Sequence, residues 1–154
     1  MTGVVADTSP LVALHQISLL HILPTLLGRV LIPEAVFKEA LSVKLEPWIE
    51  VKPLQGPIAG TIRSANIGLG ETEAISLAVE IGATRLIVDD LQARRLATSL
   101  GLPVIGTTGL LLAAKRRGLI LSVREPLGAL LDLGFRLHPD VHRAALMSAG
   151  EVVS

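Results

Sequence analysis

Apolar positions along the chain follow two rhythms. Short unbroken runs have the length and aliphatic content of buried strands: VVA before Asp7, RVLI around residue 30, RLIV before Asp89 and LPVI before Gly106. Between them, apolar residues recur at helical spacing in ETEAISLAVEI, LQARRLATSL and GLLLAAKRR, each stopped by a glycine at 82, 101 or 118. Thr8 or Ser9 is placed to cap a helix that opens at Pro10 and runs toward Leu20; Pro33 opens the helix PEAVFKEAL. Gly70 precedes the helix ETEAISLAVEI, and Thr107 or Thr108 is placed to cap GLLLAAKRR. From Leu45 to Gly60, three prolines and two glycines predict loop, with one strand at WIEVKPL. A helical tail follows from about residue 124 to 154, broken at Gly134 and resumed near Pro139.

Strands alternating with helices predict an α/β fold. We expect a parallel sheet of about four to five strands with helices on both faces, in one domain over residues 1–154. Half of the residues are apolar but only 2% are aromatic, so Leu, Val, Ile and Ala must build the core. The same excess leaves apolar surface for a homodimer, with the helices Pro10–Leu20 and Pro33–Val43 as candidates. No apolar run reaches the roughly 20 residues that cross a bilayer, and MTGVVADTSP lacks the basic start and apolar stretch of a signal peptide. With no cysteine, disulfides and thiolate metal sites are excluded, and a cytoplasmic protein with no membrane association is expected.

Fourteen basic and 14 acidic residues give no net charge, which excludes a protein that coats nucleic acid by bulk charge. Local phosphate contacts stay open. The basic residues gather at Arg94–Arg95, close after a strand end, and at Lys115–Arg116–Arg117, near the far end of a helix whose carboxyl terminus they suit. Arg94 and Arg95 are therefore the stronger candidates for phosphate.

The acids carry the chemical signal. Asp7 and the pair Asp89–Asp90 stand at strand ends, where open parallel sheets form their functional crevice. Asp7 competes with a reading as a helix cap, although Thr8 and Ser9 already offer capping oxygens. Asp90 is also placed to cap the next helix, and Arg94 to pair with Asp90 rather than touch phosphate. Glu71 begins the helix stripe completed by Ala74, Ile75, Ala78 and Ile81, while Glu73 lies off it and is expected in solvent. Glu39 shares a face with Val36, Ala40 and Val43, whereas Glu34 and Lys38 form an exposed pair. At least four carboxylates from separate segments thus converge on one crevice. Such density stays ionised most readily around Mg²⁺ or Mn²⁺, and metal-assisted phosphodiester hydrolysis is the chemistry it suits. Asp7, Glu71 and Asp90 are expected to share the ion, with Asp89 beside them and Glu39 at the rim.

VVADTSPL, PEAVFKEAL, GLGETEAISLA and LIVDDLQARRLA, in that order, resemble PIN-domain nucleases; IGTTGLLLAAKRRGLI and GFRLHPD resemble one bacterial and archaeal branch of them. The resemblance runs from Val4 to about Glu151. It implies a PIN-like fold and a metal-dependent endoribonuclease acting on single-stranded RNA, and many such proteins are toxins held by a small antitoxin protein. It also implies a ligand set of Asp7, Glu39, Glu71 or Glu73 according to register, and Asp90 with Asp89 beside it. Thr107 or Thr108 matches a supporting hydroxyl, and Thr8 and Ser9 follow the first acid. Two departures stand out: the third acid is glutamate where aspartate is common, and Val88 replaces the usual threonine.

A receiver domain would need a second acid beside Asp7 and a lysine after VIGTTG, and neither is present. A haloacid-dehalogenase-type phosphatase would need aspartate at Ser9. A PIN-like module that binds RNA or protein without cutting it is the alternative that sequence leaves open.

Overall fold

Strand β1 (Val4–Ala6) is buried at all three of its residues. Successive strand side chains point to opposite faces, so burial of the whole run means that both faces of the sheet are covered at its centre. The computed structural model describes residues 3–153. After β1 come α1 (Thr8–Gln16), α2 (Ile22–Leu27), β2 (Val30–Ile32), α3 (Glu34–Glu39), β3 (Ile49–Val51) and α4 (Gly60–Arg63). The second half holds α5 (Leu69–Ile81), β4 (Arg85–Ile87), α6 (Leu91–Ser99), β5 (Val104–Ile105), α7 (Thr107–Arg116), α8 (Arg124–Asp132) and α9 (Pro139–Ser148).

The five strands are all parallel, in the order β3-β2-β1-β4-β5. The expected α/β architecture is therefore the observed one. β3 and β5 form the edges, and their side chains are correspondingly less buried than those of β1. The core is aliphatic: Leu11, Leu14, Leu23, Ile75, Leu77, Leu86, Leu110 and Leu127 are among its fully buried side chains. α5 packs on β1, β4 and α3, which puts its amino end near the carboxyl ends of the central strands. Its other end stops at Gly82, whose left-handed backbone (φ 60°) suits a residue without a Cβ.

Several local expectations need correction. The first helix begins at Thr8 rather than Pro10 and ends before Ser18, whose positive φ of 59° breaks the run toward Leu20; α2 is a separate helix. Gly70 lies inside α5 instead of preceding it. Gly106, not Thr107 or Thr108, holds the cap position of α7. Glu34 and Lys38 form no ion pair; the ion pairs among the described residues lie elsewhere. The break at Gly134 (φ 92°) and the restart at Pro139 are as expected. Among the described residues no helix is long and apolar enough to cross a membrane.

Candidate active site

From β1 the chain passes to β2 and β3 on one side, then returns to β4 and β5 on the other. The crevice between β1 and β4 at their carboxyl ends is thus the topological switch point of the sheet. Asp7 stands there, its N–H donating to Ile87 O at 2.9 Å and so locking it against β4. It occupies the cap position of α1, yet its side chain makes no capping hydrogen bond. The carboxylate is 2% exposed and its Oδ1 has no hydrogen-bond partner. Burial pushes the Asp7 carboxyl up to about 7; the Thr8 backbone N–H opposes the rise, and the charges of Glu71, Glu39 and Asp89 add to it.

The other acids arrive from three segments. Glu39, the last residue of α3, accepts from Thr8 Oγ1 (2.7 Å) at Oε1 and from Gly70 N (3.1 Å) at Oε2. Gly70 permits this approach: a Cβ there would collide with the Glu39 carboxylate and stand 3.0 Å from Thr8 Oγ1. Glu71 accepts at Oε1 from Gly68 N at 2.9 Å, closing the first turn of α5. Its pKa is raised, by burial first and then by the charges of Asp90 and Glu39, against the Gly68 bond. Asp90 caps α6, with Oδ2 accepting from Ala93 N at 2.9 Å.

Asp89 plays a different part from its neighbour. Its Oδ1 accepts from Thr107 N at 2.7 Å and its Oδ2 from Thr107 Oγ1 at 2.6 Å. Burial raises its pKa, while the two Thr107 bonds and the charge of Arg94 oppose the rise. Arg94 is half-buried beside it and directs Nη1 at Val88 O (3.5 Å), a long contact. Arg94 thus faces Asp89 and the strand end rather than Asp90. Gly106 makes room for this pairing, since a Cβ there would meet both Arg94 Nη1 and Asp89 Oδ1.

Asp7, Glu39, Glu71, Asp89 and Asp90 line one cavity of about 730 Å³, with Thr8 and Ser9 at its edge. In α5, Glu71 lines the cavity, whereas Glu73 accepts from Ala35 N at 3.0 Å and is not the solvated group expected. Of the two threonines, Thr107 is fully buried on Asp89, and Thr108 lines only a neighbouring cleft. Arg95 is exposed and lines neither cavity. Lys115 and Arg116 stand in the last turn of α7, as expected, and Lys115 also donates to Ala149 O and Glu151 Oε2, at 2.7 and 2.8 Å. The segment Phe135–His138, which the sequence offered within GFRLHPD but not as part of the site, also lines the cavity.

This donor set suits a hard divalent cation: carboxylate oxygens, of which the buried one, Asp7 Oδ1, is orphaned. Glu71 and Asp90 each commit one oxygen to a backbone N–H and keep the other without a hydrogen bond. Among the described residues, however, no three such groups stand close enough to hold an ion as they are placed. The expectation that Asp7, Glu71 and Asp90 already share a coordination point is therefore met only in part. They share a cavity; burial first and the charges of neighbouring acids second raise the pKa values of Asp7 and Glu71, and a cation would offset both. A family model described as a PIN domain matches residues 3–151 of the chain. No curated protein matches it.

Proposed function

The chain belongs to the PIN-domain family, a nuclease-type domain, and on that premise we propose that it is a metal-dependent endoribonuclease acting on single-stranded RNA. The observation that carries the proposal is Asp7: a buried carboxylate at the sheet's switch point, with Oδ1 unpartnered and three other acids raising its pKa. Asp7, Glu71 and Asp90 would hold Mg²⁺ or Mn²⁺, which when bound supplies Lewis-acid activation of water and neutralisation of phosphate charge. Glu39 sits at the rim, fixed by Thr8 and Gly70, and is placed to orient the water that attacks. Asp89 anchors Thr107, and so the start of α7, to the end of β4.

The test is cleavage of a labelled single-stranded RNA with Mg²⁺ or Mn²⁺, comparing the wild type with Asp7→Asn. Cleavage that needs the metal and is lost in the variant is expected; equal cleavage by both would sink the assignment. A non-catalytic RNA-binding module is the second reading, favoured by the engagement of both oxygens of Glu39 and of Asp89. It predicts RNA binding without cleavage in either protein.

The biological setting we propose is that of a toxin restrained by a small antitoxin protein, with the chain itself a homodimer. Phe37 and Leu41 on and after α3 are 44% and 81% exposed, as a surface that packs on another chain would be. α1 offers less, because Leu11, Ala13 and Leu14 already face its own core. Light scattering at high protein concentration tests the dimer.

A further inference from the structure

Five carboxylates lining one cavity present a problem for any phosphate that enters it, and the segment Phe135–His138 of the same lining supplies the answer. Phe135–His138 is a stretch without regular structure between α8 and α9, fixed at its start by Phe135 N donating to Leu130 O at 2.9 Å. Phe135 and Leu137 are half-buried against the core, while Arg136 and His138 are exposed. Arg136 and His138 are also the basic side chains in the lining of the cavity that holds the acids.

Their chemistry is still available. Arg136 enters none of the ion pairs or side-chain hydrogen bonds formed among the described residues, although acids line the same cavity. His138 is engaged at Nδ1, accepting from Asp140 N at 3.0 Å and lying 3.7 Å from Asp140 Oδ2, which leaves Nε2 as the ring atom for a ligand. The same segment lines the adjoining cleft of about 580 Å³ beside Arg94 and Thr108, and Asp89 and Leu91 are common to both spaces. A strand laid across the acids would pass under Arg136 on its way from one space to the other.

We propose that Arg136, assisted by His138, is the phosphate-binding wall of this site, positioning the RNA backbone over the carboxylates in place of Arg94 and Arg95. The assignment rests on the nuclease reading above and names its substrate contacts. A planar guanidinium suits two phosphate oxygens at once and carries the positive charge that the acidic side of the cavity lacks. Arg94 lines only the adjoining cleft, where its one side-chain hydrogen bond among the described residues is the long contact to Val88 O, and Arg95 lines neither space.

The experiment measures binding of a fluorescent single-stranded RNA to the full chain in EDTA, across a salt series, and Mn²⁺ binding by calorimetry. Arg136→Ala should weaken RNA binding about tenfold and lower the salt slope by about one released counterion. Arg136→Lys should recover part of the affinity, and Mn²⁺ affinity should stay within about twofold of wild type because the acids are untouched. Lys44→Ala, which removes the same charge from outside both spaces, should bind RNA as wild type does. If the wild type binds and cleaves RNA and Arg136→Ala is indistinguishable from it, this assignment alone falls. If the wild type neither binds nor cleaves RNA, the assignment and the nuclease reading fall together.

Discussion

Thr107 gives Asp89 both of its hydrogen-bond donors, N–H to Oδ1 at 2.7 Å and hydroxyl to Oδ2 at 2.6 Å. Two short bonds from one fully buried residue tie the first turn of α7 to the end of β4 and turn Asp89 away from its acidic neighbour. Thr107→Val keeps the shape but leaves Oδ2 without its donor, a loss of about 1–3 kcal/mol. Chemical denaturation should show that loss, and Thr107→Ser should recover most of it. A valine variant as stable as wild type would show that the hydroxyl bond contributes nothing.

Asp7 makes the metal-free protein sensitive to pH. Its carboxyl is raised from the usual 3.8 to about 7, so between those values the folded chain holds a proton that the unfolded chain releases. The contribution of Asp7 to stability is then greatest below about pH 4, falls as pH rises toward 7, and levels off above it, with a span of at most about 4 kcal/mol. Asp7→Asn should remove that decline in EDTA, making the variant more stable than wild type at pH 8 though inactive. Mn²⁺ affinity of the wild type should rise through the same window, because the ion displaces the proton. Unfolding midpoints that run parallel in the two proteins from pH 4 to 8 would contradict this.

Gly70 separates the needs of the site from those of the fold. Its helical position would accept alanine, with a propensity gain of up to about 1 kcal/mol. Its Cβ, however, would push the Glu39 carboxylate away from Thr8 and from the Gly70 N–H. Gly70→Ala should therefore change the melting temperature little while lowering Mn²⁺ affinity or cleavage by about 10- to 100-fold. Wild-type activity in this variant would remove Glu39 from the site.

What the sequence made legible was local. The strand runs ending at Asp7 and Asp89–Asp90, the helix stops at Gly82, Gly101 and Gly118, and the break at Gly134 all follow from spacing and backbone preference, and the sheet respects them. Partner choice was not legible, because it depends on what lies opposite in space. Asp89 and Asp90 are adjacent and identical, yet one faces Thr107 from 18 residues away and the other caps its own helix. Glu73 looked solvated on the helical wheel, but α3 packs on α5 and brings Ala35 N to it. Arg136 and His138 are far in sequence from every acid of the cavity, and only the return of the tail brings them into the same lining.

That return is held by Glu151. Its carboxylate accepts from Lys115 Nζ (2.8 Å), Val123 N (2.7 Å) and Arg124 N (3.1 Å), so one side chain joins the end of the tail to α7 and to the start of α8. Burial works to raise its pKa, but the bonds from Lys115, Val123 and Arg124 prevail and lower it. A lowered carboxyl contributes stability that is present above its ordinary value of 4.5 and lost as pH falls through the folded value, the opposite sense to Asp7. Glu151→Ala should cost about 1–3 kcal/mol by stranding Val123 N and Lys115. In a domain of this size that is a fall in melting temperature of roughly 3–10 °C. The loss should be local before it is global. α9 packs on α7, and Phe135–His138 lies between α8 and α9, so amide exchange should quicken in α9 and the cavity wall before it does in β1 or β4. RNA affinity should fall with it, while Mn²⁺ affinity, which depends on acids carried by the sheet, α3 and α5, should hold. Uniform acceleration of exchange across sheet and tail would show that Glu151 supports the whole fold rather than the wall of the site.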